Sequence, residues 1–112
     1  MRRVIVESPY AGDVDRNTRY ARACLRGCLL RGEAPFASHL LYTQDGVLRD
    51  GDPKERALGI HAGLTWAEFA AATIVYTDLG ITHGMQLGID HANSNDRDVE
   101  YRQLGAGWEE AA

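Results

Sequence analysis

The stretch from Ile74 to Ala92, IVYTDLGITHGMQLGIDHA, constrains the fold of this chain more than any other. Thr73, Ile74, Val75 and Tyr76 carry strand chemistry and run into a turn holding Asp78, Gly80, Thr82 and Gly84. The chain then restarts as a helix with Met85, Ile89 and Ala92 on one side. A strand that ends at a small, hydroxyl-bearing, glycine-punctuated turn and continues as a helix leaves backbone N–H groups aimed at one spot, where an anion is stabilised. The stretch therefore reads as a ligand site on a parallel sheet.

The rest of the chain repeats the strand, loop, helix order. Val4 to Val6 is an all-apolar run ended by Glu7, Ser8 and Pro9, as in a central strand buried on both faces. After the turn-rich SPYAGDVDRN, Asp15 or Asn17 can cap a helix carrying Tyr20, Cys24, Gly27, Cys28 and Arg31 on one stripe, and Gly32 stops it. Arg16, Arg19, Arg22 and Arg26 form a second, solvated stripe. A short strand over 34–37 ends at Ser38 and His39, and the polar, turn-forming span from Leu40 to Asp52 reads as a mobile loop or lid. Asp52 followed by Pro53 opens the next helix, with Ala57, Ile60, Leu64, Ala67 and Ala71 at helical spacing. A last strand covers 99–101, and residues 105–112 form a tail of little periodicity.

This alternation predicts an α/β fold. The expected architecture is a single three-layer, flavodoxin- or Rossmann-like domain over residues 1–104, with about four to five parallel strands and helices on both faces. Ligands of such sheets bind beyond the carboxyl ends of the strands. Three loops there, SPYAGD, ASHLLY and TDLGITHG, bring Tyr10, Gly12, Ser38, His39, Gly80, Thr82, His83, Gly84 and Met85 towards one cleft.

Bulk properties narrow the partners. At 112 residues the chain suits one domain with a modest core. A net charge of -4 argues against coating nucleic acid, and no apolar run is long enough for a membrane helix or a signal peptide. Cys24 and Cys28 lie one helical turn apart, where a disulfide closes no useful loop, and a zinc site needs ligands the spacing lacks. Buried reduced thiols, a cytoplasmic location, and neither metal nor cofactor are expected.

The residues resemble the nucleoside 2-deoxyribosyltransferase-like superfamily, which includes nucleoside monophosphate N-glycosidases and small domains common in bacterial and phage genomes. The resembling pieces, in family order over about residues 4 to 102, are VIVESPYAG, PFASHLLY, the arginine of ERALGI (Arg56), ITHGMQLGIDHA and VEYR. The resemblance implies cleavage or exchange of the bond between a base and a sugar, by a glutamate four residues after a glycine at the start of the helix. Counted from Gly84, that position is Gly88. The aspartate implied before the third strand falls within Ala70 to Ala72 and is missing as well.

Thr82, six residues before Gly88, matches the serine that binds the 5′-phosphate in the monophosphate hydrolases, and Tyr10 matches a tyrosine near the sugar and base. The resemblance thus implies a nucleotide-like small molecule bound without the family's glycosidic chemistry, in a homodimer or larger homo-oligomer. The alternative is an N-glycosidase or deoxyribosyltransferase using a relocated carboxylate, with Asp78 and Asp90 as candidates or one from a neighbouring subunit. On a helix, a displacement of two residues turns Asp90 about 200° from position 88. Glu7, Asp13 and Glu68 are further carboxylate candidates, each read first as solvated or capping. His61 and His91 read as satisfied helix histidines. An alanine-rich face over 57–72 also suits close helix packing between subunits.

Overall fold

Short, nearly all-apolar strands must be covered on both faces, and helical crossovers do this for parallel neighbours. The computed structural model describes residues 1–110. The elements run β1 (Arg2–Glu7), α1 (Val14–Leu30), β2 (Glu33–Phe36), α2 (Ser38–Leu41), α3 (Pro53–Ala67), β3 (Ala72–Tyr76), α4 (His83–Ser94) and β4 (Asp98–Arg102). The four strands form one parallel sheet in the order β2-β1-β3-β4. This is the expected α/β, Rossmann-like single-domain architecture.

Alternation along the strands decides which side chains meet which helices. Val4 and Val6 of β1 and Ala72, Ile74 and Tyr76 of β3 pack with the α1 stripe Tyr20, Cys24 and Cys28. On the opposite face Val75 packs with Met85 and Ile89 of α4 and with Val99 of β4. Ile5 and Glu7 share that opposite parity, so they face α3 and α4. Both cysteines are buried and free, and burial pushes their thiols up from the usual range.

Local signals differ from the sequence reading in three places. The cap of α1 is Asp13, whose carboxylate accepts from the Arg16 N–H, rather than Asp15 or Asn17. Asn17 lies inside the helix and is buried; its amide donates to the Tyr10 and Ala11 carbonyls at 2.9 and 3.1 Å. It pins the first loop to the helix, a job that capping chemistry alone does not reveal. Ser38 to Leu41, where the sequence reading ended a strand and began a loop at Leu40, winds into one short helix. Asp52 does cap α3, with Pro53 in its first turn.

The segment after β4 is tied down at several points. Trp108 packs edge-on against Tyr20 at 4.9 Å between ring centres, and Glu109 pairs with Arg16 at 2.6 Å. The Arg16 side chain stays exposed in this pair, at the solvated edge of α1. Glu33 of β2 is gripped by Arg102 and Arg2, each at 2.7 Å, and the Arg102 guanidinium holds its carboxyl down to about 2. No helix among the described residues is long and apolar enough to cross a membrane.

Candidate functional site

Strands β1 and β3 end side by side, and the loops that leave them open a cavity of about 420 Å³ between the sheet, α3 and the start of α4. Tyr10, Gly12, Ser38, His39, Thr82, His83, Gly84 and Met85 all line it, so three separate loops converge there as their sequence positions suggest. Gly80, by contrast, only makes the turn, at φ +87°, and does not line the cavity.

One end of the cavity is electropositive. Thr82 caps α4: its Oγ1 accepts from the Met85 N–H at 3.3 Å, and its own N–H donates to the Met85 sulfur at 3.4 Å. The N–H groups of His83 and Gly84 meet no acceptor among the described residues. Two free donors at the positive end of a helix are suited to an anion. The Arg56 guanidinium comes from α3 to the same spot, with Nη2 3.6 Å from where a Cβ on Gly84 would stand. Its other nitrogen holds Asp50 of the preceding loop at 3.3 Å. The 43–52 loop is thus latched to the cavity rim by the side chain best placed to meet an anion.

The walls are mixed. Ile60, Leu64 and Ala67 of α3 give an apolar side. Gly63 allows α3 to approach, since a Cβ there would fall 2.5 Å from the Ser38 hydroxyl. His39 shares a 2.7 Å hydrogen bond with Ser8, and burial pushes its imidazole down to about 4. It is therefore neutral at physiological pH and can donate or accept, but does not bring a charge.

Glu7 forms the floor. Its carboxyl lies 2.2 to 3.0 Å from the place a Cβ on Gly88 would occupy. A side chain at 88 would have to displace this carboxyl, so Gly88 does not leave an empty spot where the resemblance implies a carboxylate; Glu7 occupies it from the end of β1. Glu7, a further carboxylate candidate read first as solvated or capping, stands half-buried at the floor of the cavity instead. No described residue donates a hydrogen bond to it, and burial pushes its carboxyl up to about 8, opposed only by the charge of Arg97. Arg97 is itself buried and held by Thr73 and His91, each at 2.9 Å.

The two carboxylates proposed from sequence lie elsewhere. Asp78 accepts from the Tyr20 hydroxyl at 2.6 Å and from the Leu104 and Gly105 N–H groups at 2.9 Å. Burial alone would raise its carboxyl, but these donors together pull it below the usual range. It secures the segment after β4 and does not line the cavity. Asp90 is exposed on the outer side of α4, bonded to Gln86 at 2.9 Å. Arg97 is a cavity residue that the sequence reading passed over, and Glu7 is one that it named only as a secondary candidate. The parity signal was present, since Glu7 is two residues beyond Ile5, but only the packing identifies that face as the one toward α4.

Comparison with known proteins adds the fold. No curated protein matches the chain. Among solved structures, it is similar to a 2-deoxyribosyltransferase from the psychrotolerant bacterium Bacillus psychrosaccharolyticus. That likeness has a TM-score of 0.61 at 15% identity and covers 93% of this chain and 74% of the other. A family model described as a domain of unknown function, DUF7768, matches residues 2–102. Spanning every strand and helix from β1 to β4, that match shows that the chain belongs to the DUF7768 family.

Proposed function

We propose that the cavity binds a nucleoside 5′-phosphate or a closely related nucleotide-derived molecule. The observation that carries this is the convergence of two unpaired helix N–H groups, at His83 and Gly84, with the Arg56 guanidinium at one end of a cavity whose other walls are Tyr10, His39 and the apolar side of α3. The anion end suits a phosphate, and the volume is in the range of small-molecule sites. Arg56 meets the phosphate end through Nη2 while Nη1 holds Asp50, so one side chain joins the anion site to the 43–52 loop. The likeness in fold to a 2-deoxyribosyltransferase agrees with a nucleoside-type ligand.

Isothermal titration calorimetry with ribo- and 2′-deoxynucleoside 5′-monophosphates tests the reading. Monophosphates should bind at least about tenfold more tightly than the parent nucleosides, the effect of one charge-assisted contact. Arg56→Ala should remove about 1.5 kcal/mol of that binding, again about tenfold. Absence of heat at millimolar ligand, with the protein shown to be folded, would reject the reading.

A further inference from the structure

We infer that Glu7 is the catalytic carboxylate of this cavity, delivered from the end of β1 into the space that a side chain at position 88 would take, and that it reacts at the anomeric carbon of the bound nucleotide. The inference rests on the nucleotide-binding reading above. It changes which element supplies the reacting group, from the helix to the strand.

Spacing is the first argument. Gly84, at the anion end, and Gly88, beside the Glu7 carboxyl, are one helical turn apart, about 6 Å. A phosphate on the free N–H groups of His83 and Gly84 therefore leaves the sugar of the same nucleotide over Glu7. Asp50 also lines the cavity, but Arg56 holds it at the anion end.

The state of Glu7 is the second argument. A half-buried carboxyl at the floor of a cavity, with no hydrogen-bond donor among the described residues, is left open to a ligand. Asp78, at the end of the next strand, has three such donors. Arg97, fixed by Thr73 and His91, offers a positive charge to the ionised form of Glu7 without neutralising it through a direct ion pair. A glutamate carboxylate left without protein donors in this way can serve as a covalent nucleophile.

The step balances with water as the sole co-reactant. A Glu7 oxygen gives an electron pair to C1′ as the C1′–N bond breaks, and that bond's pair leaves with the base. The base takes a proton from water, leaving hydroxide. Hydroxide then adds to C1′ of the glycosyl ester, and the ester C–O pair returns to the Glu7 carboxylate. The products are free base and sugar 5′-phosphate.

The test is release of free base from ribo- and 2′-deoxynucleoside 5′-monophosphates, followed by chromatography, beside calorimetric binding of the same compounds. Wild type should release base from at least one of them. Glu7→Gln should slow this by about a thousandfold or more with binding changed by no more than about threefold. In wild type, kcat/KM should rise with pH as the Glu7 carboxyl, near 8, ionises. The other charged or titratable groups lining the cavity are Arg97, His39, Tyr10, Arg56, Asp50 and His83.

Should Glu7→Gln fail to fold, the swap Glu7→Ala/Gly88→Glu decides the matter, because it returns a carboxylate to the same space from α4. Base release by the swap at least about tenfold above Glu7→Ala supports the inference; release no higher than in Glu7→Ala overturns it. Nucleotide bound by wild type without base release, or release unaffected by Glu7→Gln, overturns it while leaving the binding reading intact. Absence of binding in wild type rejects the binding reading itself.

Discussion

Two carboxyl groups sit at the ends of adjacent strands and have opposite environments. Asp78, just past β3, receives one hydroxyl and two backbone donors and is held below its usual range; Glu7, at the end of β1, receives none and is pushed up to about 8. Both positions belong to the carboxyl edge of the sheet, where ligand sites form. Location at that edge is therefore not enough to mark a reactive group. What distinguishes them is whether the fold spends its donors on them: Asp78 fastens the segment after β4 onto α1, whereas Glu7 is left facing the cavity. Environments that drive two carboxyls apart in this way assign them different work.

The largest test of this contrast short of the catalytic assay is Asp78→Ala. It strands three donors at once, and unfolding in urea should show a loss of about 3 kcal/mol. A loss under about 1 kcal/mol would mean that Asp78 is not the fastening that its hydrogen bonds imply.

Gly88→Ala comes next. Its new Cβ meets the Glu7 carboxyl, so stability should fall by about 2 kcal/mol in the parent. The same change in a Glu7→Ala background should cost little, because the higher helix propensity of alanine contributes about 1 kcal/mol the other way. A double-mutant cycle that comes out additive would separate the two sites and undo the structural exchange between them.

The last test reads pH-dependent stability, where the partial exposure of Glu7 discounts the full linkage value. The folded-state carboxyl of Glu7 is raised above its unfolded value, so the folded chain holds more protons between about pH 4.5 and 8, and stability declines as pH rises through that window. Glu7→Gln should remove this decline. Thermal melts of the two proteins should diverge steadily from pH 5 to pH 8, with the glutamine form the more stable at the upper end. Parallel melting curves across the window would show that Glu7 is better solvated than its surroundings indicate.

Much of the architecture was legible in the residues. Near-continuous apolar runs at 4–6 and 73–76, alternating with helical stripes, specify parallel strands covered on both sides. Asp52-Pro53 and Thr82 mark helix starts because capping is local chemistry between neighbours in sequence. Eight of the nine ligand-site residues read from the loops line one cavity for the same reason: the loops at one edge of a parallel sheet must converge. The role of Asn17 was not legible, since a capping residue type inside a helix looks like an alternative start until its carbonyl partners are known.

The chain's sequence by itself determined a parallel α/β sheet, the strand-turn-helix at 73–92 and the absence of a carboxylate at position 88. Tertiary structure alone decided which carboxyl occupies that space. A strand's alternation says that Glu7 and Ile5 share a face, but whether that face meets α1 or α4 depends on how the crossovers wrap the sheet. The contact between Glu7 and Gly88 joins residues 81 positions apart and leaves its mark in neither local pattern.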